Sequence, residues 1–171
     1  MLGTSLRLLT AAALATVETK YGLVFDAGSS GTRIHVYSWN VGAPGPKANF
    51  DLLKDELLKI KPGLSAYKNA PSTAGSSLRP LLDHARKFVP SEAIATTPVF
   101  LMATAGLRMV GEAVKDEILA SVCTELIASG FSFSCAGGAT LLGGADEGLY
   151  GWVTVNYLLN SLYSPPEQPP A

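Results

Sequence analysis

Two stretches near the start of the chain have the hydrophobic pattern of β-strands. Residues 21–25 (YGLVF) are mostly large and apolar, and residues 33–39 (RIHVYSW) alternate between polar and apolar side chains with a period near two. Between them, residues 26–32 (DAGSSGT) are acidic, small or hydroxyl-bearing. This pattern predicts an antiparallel hairpin whose turn is the Gly/Ser-rich segment.

The pattern changes to loop and then to helix in the next part of the chain. Residues 41–53 contain two prolines and two glycines and are predicted to form a loop. Residues 72–89 are predicted to form a helix, with Ser72 as its N-cap and a kink at Pro80. The apolar side chains of this helix share helical spacing, and we expect them in the core: Leu78, Leu81, Leu82, Ala85 and Phe88.

The second half of the chain returns to an alternation of strands and helices. An apolar strand is predicted over residues 99–103, and a helix over residues 112–129 with Gly130 at its end. Residues 131–142 have a strand-like pattern, and the segment after them predicts a helix with Asp146 in its first turn. This alternation predicts an α/β fold, in which a mixed sheet opened by the antiparallel hairpin has helices packed on it.

The size and charge of the chain limit the classes of protein to which it can belong. With 171 residues and 47% hydrophobic side chains, it has the length of one domain and enough apolar material for a core. The 13 basic and 14 acidic residues give a net charge of -1, so we expect no nucleic-acid partner. No stretch approaches the roughly 18 apolar residues that a membrane-spanning helix needs, so no span is predicted.

The two ends of the chain differ in composition from the part between them. Residues 1–19 include a short apolar run that ends in Ala-Leu-Ala, and we expect either a signal peptide or a frayed, Ala-rich N-terminus. Residues 161–171 contain four prolines and predict an unstructured tail. Residues 20–160 are expected to form the folded domain, with Tyr150 and Trp152 in its core.

The chain has two cysteines, Cys123 and Cys135. Two are too few for a disulfide scaffold, and they lie too far from any further Cys or His for a zinc site. They form either one disulfide bridge, if the chain is secreted, or two separate buried thiols. The residues alone leave both alternatives open.

The Gly/Ser-rich turn has the composition of an anion-binding loop. The glycines among Gly28, Ser29, Ser30 and Gly31 permit unusual backbone conformations, which can turn several N–H groups toward one phosphate. The loop is not a Walker A loop, because it lacks that motif's lysine and spacing and is followed by a strand. Because the loop has no lysine, the charge of a bound phosphate must be neutralised in another way. Asp26 suggests that a divalent cation, held by its carboxylate or through a water molecule, does this. The alternative is an ordinary hairpin turn.

Three segments in a fixed order resemble a known family. DAGSSGTR (residues 26–33), TAGLR (residues 104–108) and DEGLYGWVTVNYLL (residues 146–159) are similar to the first three conserved regions of the GDA1/CD39 apyrase family. KIKPGLSAY (residues 59–67) resembles a segment that the family carries between its first two regions. The resemblance covers about residues 20–160 and implies the N-terminal lobe of an actin-like (ribonuclease H-like) ATPase fold.

The resemblance also implies an activity and a set of site residues. Enzymes of this family hydrolyse the terminal phosphate of nucleoside tri- and diphosphates with Ca²⁺ or Mg²⁺, and the implied location is the secretory pathway, in the Golgi or endoplasmic reticulum lumen or outside the cell. Asp26 would help to hold the metal, and Glu147 would be the general base. Thr104, as a catalytic hydrogen-bond partner, would line the path of the attacking water with Ala105. The phosphate-binding set would be Gly28, Ser29, Ser30, Gly31, Thr32 and Ala105.

Neighbouring charged residues have less certain roles. Arg33 either reaches a phosphate oxygen or is an ordinary surface residue of the strand. Arg108 is predicted to be structural, pairing with a carboxylate or with carbonyl groups near the loop. The resemblance favours Glu147 as the base, because the family's Glu-Gly pair matches Glu147 and Gly148, whereas Asp146 is predicted to cap a helix.

The sequence departs from the family in its length. Family members continue after the third motif with a second lobe and a second phosphate loop, which this chain lacks; residues 135–140 (CAGGAT) are predicted to be a strand and turn instead. We therefore expect weak nucleotide binding and an exposed cleft face. Two hypotheses follow: half of a nucleoside tri- and diphosphate hydrolase, or a non-catalytic fragment that binds nucleotide or a partner.

Overall fold

The computed structural model describes residues 16–42 and 50–162. Within these residues, one mixed sheet has five strands in the order β3-β2-β1-β4-β5. The neighbours β1, β2 and β3 pair antiparallel, whereas β4 and β5 run parallel to β1. The strands are β1 (Glu18–Gly28), β2 (Gly31–Val41), β3 (Asp51–Ile60), β4 (Val99–Ala103) and β5 (Ala139–Leu141). The predicted opening hairpin and mixed α/β sheet are confirmed.

The hairpin of β1 and β2 is longer and tighter than its pattern alone indicated. Gly28 pairs with Gly31, so that Ser29 and Ser30 form a two-residue turn. The pairing continues without a shift as far as Glu18 opposite Val41. The turn of this hairpin is therefore held in one register by both strands.

Strand β3 corrects the loop predicted over residues 41–53, because it already begins at Asp51. Its apolar residues do not alternate cleanly, and charged side chains separate them, as is common on the edge of a sheet. The register also shifts between Ser38 and Trp39, which breaks the period of two. The part of the predicted loop at residues 43–49 lies outside the described residues.

Helices and 3-10 turns connect the strands. The helices are α1 (Arg79–Ala85), α2 (Ala105–Arg108), α3 (Glu112–Ala128), the short irregular α4 (Cys135–Gly138) and α5 (Gly144–Leu158). The 3-10 turns are Leu64–Asn69, Pro71–Thr73, Gly75–Leu78 and Ser91–Thr96. The predicted strand and helix at residues 99–103 and 112–129 are confirmed, and Gly130 follows the helix with a φ of 81°. The CAGGAT segment, predicted as strand and turn, forms α4 and then β5.

Helix α1 is shorter than the predicted helix over residues 72–89. Pro80 lies in its first turn, where a missing N–H group leaves no hydrogen bond unmade, so the proline begins the helix instead of kinking it. Ser72 lies in a 3-10 turn and is not an N-cap. Phe88 follows the helix and is 38% exposed, so its expected place in the core is wrong.

The core lies between one face of the sheet and the layer of α1, α3 and the 3-10 turns. Leu23, Phe25 and Ala27 alternate along β1 toward this layer and are buried. The other fully buried large side chains come from both layers: Ile34, Leu64, Leu78, Leu81, Leu82, Leu101, Leu107, Ile118, Val122 and Leu126. The chain thus has one contiguous core on one side of its sheet.

The opposite face of the sheet, here called the open face, is approached only by α5 in the described part of the chain. Tyr157 of α5 accepts a hydrogen bond from the backbone N–H of Leu52 at 3.1 Å. No residue of α5 is buried, and Tyr150 and Trp152 are 48% and 60% exposed. The expectation that these two aromatic residues lie in the core is therefore wrong for this chain.

Two of the sequence-based hypotheses about the ends fall largely on residues that are not described. The signal-peptide hypothesis concerns residues 1–19, of which 1–15 lie outside the described residues. The proline-rich tail similarly lies outside them from residue 163 onward. In residues 16–42 and 50–162, no helix has both the length and the apolar character to cross a membrane.

Cys123 and Cys135 are joined in a disulfide bridge, which decides between the two alternatives. The bridge ties α3 to α4 across a sequence separation of 12 residues. Replacing both cysteines with alanine should lower the free energy of unfolding by about 3 kcal/mol, because closing a loop of this size restricts the unfolded chain. Urea unfolding of the oxidised protein and the double variant measures this difference, and equal midpoints and slopes would contradict it.

Candidate functional site

The site begins at Asp26, near the carboxyl end of β1. Asp26 lies directly opposite Arg33 of β2, and the two side chains share the open face. An Arg33 nitrogen, Nη1, donates a hydrogen bond to Asp26 Oδ2 at 2.6 Å, and each side chain is about one-third exposed. The carboxylate predicted to hold a metal is therefore already paired with a cation.

The predicted phosphate-binding residues occupy different positions in the turn. Ser29 and Ser30 form its exposed tip, flanked by Gly28 and Gly31. Thr32 is 1% exposed, and its hydroxyl has no hydrogen-bond partner among the described residues. Because side chains alternate along β2, the Thr32 side chain lies on the core side of the sheet, away from Asp26.

The second motif lies against this turn. The Thr104 N–H donates to the carbonyl of Ala27 at 3.3 Å, which places the end of β4 beside the end of β1. A Cβ atom added to Gly106 would lie 2.7 Å from Ser29 Cα, so the two backbones touch. Ala105, between them, is the first residue of α2.

The segment after β3 supports the turn from another side. A Cβ atom added to Gly63 would lie 2.3 Å from the carbonyl oxygen of Gly28 and 3.0 Å from the nitrogen of Gly31. Only a glycine permits this approach of two backbones. The sequence analysis noted this segment only because it resembles a segment of the family, and it assigned no role to Gly63. The signal that could have identified Gly63 is a glycine directly after a proline at the end of a strand.

The third motif is joined to the second through Arg108. This side chain donates a hydrogen bond to the carbonyl of Leu142 at 2.9 Å and contacts Glu147 Oε1 at 3.4 Å. The backbone N–H of Leu142 in turn donates to the carbonyl of Ala103 at 2.8 Å. The sequence predicted that Arg108 pairs with a carboxylate or with carbonyl groups near the loop, and both kinds of contact are present.

Glu147 and Asp146 lie in the first turn of α5 and have different surroundings. The Asp146 carboxylate accepts a hydrogen bond from the Gly143 N–H at 3.4 Å, which confirms its predicted capping role. The Glu147 side chain is 41% exposed and contacts Arg108. Of the two carboxylates, only Glu147 is therefore linked to the second motif by a side-chain contact.

All three motifs thus meet at one end of the sheet. Strands β1, β4 and β5 run parallel, and the motifs follow or close these strands at their carboxyl ends. Ligands of open α/β sheets bind at this edge. The arrangement provides a hydroxyl-bearing turn, the Asp26 and Glu147 carboxylates and two arginines, Arg33 and Arg108.

The residues at this edge fit a metal ion that takes only part of its coordination shell from protein. No group of three or more His, Cys, Asp or Glu side chains in the described residues is arranged to hold a metal. Asp26 provides one carboxylate, and its Oδ1 would lie 3.9 Å from a Cβ atom at Gly28, beside the turn. Mg²⁺ in phosphate sites is commonly held by one or two carboxylates, water and phosphate oxygens, so this donor set suits such an ion.

Comparisons with known proteins find relatives of this chain in sequence and in fold. The chain is 43% identical over 145 residues to a guanosine-diphosphatase of Schizosaccharomyces pombe, covering 84% of this chain and 25% of that protein. It is 45% identical over 150 residues to Apyrase 1 of Arabidopsis thaliana, covering 85% and 30%. A solved structure of a nucleoside triphosphate hydrolase from Neospora caninum matches with a TM-score of 0.60 at 18% identity, covering 84% of this chain and 32% of that one.

The structural match confirms the predicted α/β lobe of the actin-like ATPase fold. The chain spans only 25 to 30% of the length of these curated relatives. Residues 13–169 match the sequence pattern of the GDA1/CD39 (nucleoside phosphatase) family, which is most of the chain. On this evidence, the chain belongs to the GDA1/CD39 (nucleoside phosphatase) family.

Proposed function

We propose that this chain is the N-terminal lobe of a nucleoside tri- and diphosphate hydrolase that depends on a divalent metal. The observation that carries this proposal is the contact between the three motifs at one sheet edge. Gly106 of the second motif touches Ser29 of the first, and Arg108 of the second motif reaches Glu147 of the third, so the second motif links the turn to the proposed base. The names of the matched relatives, a guanosine-diphosphatase and an apyrase, support the same substrate class.

In the proposed reaction, the oxygen of a water molecule forms a bond to the terminal phosphorus. The bond from that phosphorus to the bridging oxygen breaks, and the electron pair stays on the leaving phosphate. Glu147 accepts a proton from the water, and the Thr104 hydroxyl forms a hydrogen bond with that water. The products are inorganic phosphate and a nucleotide that is shorter by one phosphate.

The turn would stabilise the charge on the phosphate oxygens. Ser29 and Ser30 supply hydroxyl groups at its tip, and the Gly28, Gly31, Thr32 and Ala105 backbones complete the predicted cradle. Ca²⁺ or Mg²⁺, held by Asp26 directly or through water, would neutralise phosphate charge when bound.

A second lobe is proposed to complete the site. The chain spans 25 to 30% of its relatives, and α5 exposes apolar residues such as Leu149, Trp152 and Leu158. Exposed apolar surface of this kind is typical of a face that another part of a protein covers. The disulfide between Cys123 and Cys135 supports the secretory pathway as the location, since disulfides persist in oxidising compartments.

The test is phosphate release from ATP, ADP, GDP and UDP by the 171-residue chain, with Ca²⁺, Mg²⁺ or EDTA. Release that requires the metal supports hydrolysis by this lobe. Binding of these nucleotides without phosphate release favours the second candidate, a non-catalytic fragment that binds nucleotide. The exposure of α5 is the structural observation that favours this candidate. A chain that releases no phosphate and binds none of these nucleotides, with or without metal, would contradict both proposals.

A further inference from the structure

A lysine to which the sequence analysis assigned no role lies beside the Gly/Ser turn. Lys59 of β3 is directly opposite Arg33 of β2, which is itself opposite Asp26 of β1. Side chains of directly opposite residues share one face of a sheet. Asp26, Arg33 and Lys59 therefore form a row across three strands on the open face, at the end of the sheet where the turn lies.

The two cations of this row lie against the two glycines of the turn. A Cβ atom added to Gly28 would lie 3.8 Å from Arg33 Nη1. A Cβ atom added to Gly31 would lie 3.0 Å from Lys59 Cε, the carbon that carries the ammonium group. The guanidinium and the ammonium group are thus each placed beside one end of the turn.

Both cations keep hydrogen-bond donors for a further partner. Asp26 accepts one hydrogen bond from Arg33 Nη1, while a guanidinium has five N–H donors in total. Lys59 is exposed and makes no ion pair within residues 16–42 and 50–162. Two cations and one carboxylate leave this row with a net positive charge beside the hydroxyls of Ser29 and Ser30.

We propose that Arg33 and Lys59 form a phosphate-binding pair that acts without a metal. The pair binds oxygens of a phosphate chain that lies along the turn, and it supplies the fixed positive charge that a lysine supplies in a Walker A loop. Asp26 holds the guanidinium in place before the ligand arrives, which lowers the cost of ordering it. This inference rests on the proposed function and assigns it a metal-independent contribution to substrate affinity.

The experiment is isothermal titration of the chain with inorganic pyrophosphate in EDTA at low ionic strength. Arg33→Gln and Lys59→Gln should each weaken binding by about tenfold or more, because each removes a charge-assisted hydrogen bond to phosphate. Lys54→Gln is the matched control. Lys54 lies on the same strand with a 71% exposed side chain, five positions farther from the turn, so its loss should leave the affinity unchanged.

Several results would overturn the proposal. The first is that the unsubstituted chain does not bind pyrophosphate in EDTA. The second is that the Lys59→Gln variant binds it as tightly as the unsubstituted chain. The third is that Lys54→Gln loses as much affinity for pyrophosphate as Lys59→Gln does. Lys59 is exposed on the edge strand, so its variant should fold even if Arg33→Gln does not. Because this experiment measures binding and no hydrolysis, its failure can be distinguished from a failure of metal-dependent phosphate release.

Discussion

Replacing Glu147 with glutamine should reduce phosphate release by about 10² to 10⁴-fold, the usual contribution of a positioned general base. Glutamine has nearly the same shape as glutamate but cannot accept the proton of the attacking water. Its side-chain oxygen can still accept the Arg108 contact that glutamate makes at 3.4 Å, so the position of the residue should persist. Affinity for the nucleotide should consequently remain nearly unchanged.

The measurement uses the longest form of the protein that releases phosphate, and it compares turnover with nucleotide affinity. The matched control is Asp146→Asn, because Asp146 is the neighbouring carboxylate and caps α5 at Gly143. Asparagine keeps an oxygen acceptor for this cap. The turnover of the Asp146→Asn variant should therefore stay within about threefold of that of the unsubstituted protein. A Glu147→Gln variant that keeps more than about a tenth of the activity would exclude Glu147 as the base.

Residue patterns predicted those parts of the fold in which one periodicity dominates. The second strand of the hairpin alternates with a period near two, and the buried Ile118, Val122 and Leu126 of α3 recur every four residues; both elements are present. Strand β3 was missed because it lies at the edge, carries charges on both sides and changes register at Trp39. Its pairing with β2 depends on long-range contacts that a local pattern does not contain.

The candidate site shows the same difference between local and long-range information. The resemblance of the motifs gave Asp26 and Glu147 as candidate site residues, and the family's Glu-Gly pair favoured Glu147 over Asp146 as the base. The places of Lys59 and Gly63 could not be predicted, because each depends on a register or a backbone approach between segments about 30 residues apart in sequence. The exposure of Trp152 was missed for a related reason, since a helical apolar pattern gives no information about which surface is covered.

Replacing Gly63 with alanine should lower the free energy of unfolding by about 2 to 3 kcal/mol, in the range of overpacking substitutions. The added Cβ would lie 2.3 Å from the carbonyl oxygen of Gly28, 2.9 Å from that of Ser29 and 3.0 Å from the nitrogen of Gly31. These are backbone atoms, which cannot rotate away as a flexible side chain can. The turn or the segment after β3 must therefore move.

Because the displaced atoms belong to the turn, the same substitution should also remove phosphate binding. Urea unfolding measures the first effect, and titration with pyrophosphate measures the second. Gly151→Ala is the matched control: a Cβ there meets no atom within 4 Å, and alanine in a helix is more stable than glycine by roughly 0.5 to 1 kcal/mol. If Gly63→Ala were as stable as Gly151→Ala and bound pyrophosphate normally, the contact between this segment and the turn would have no role in shaping the site.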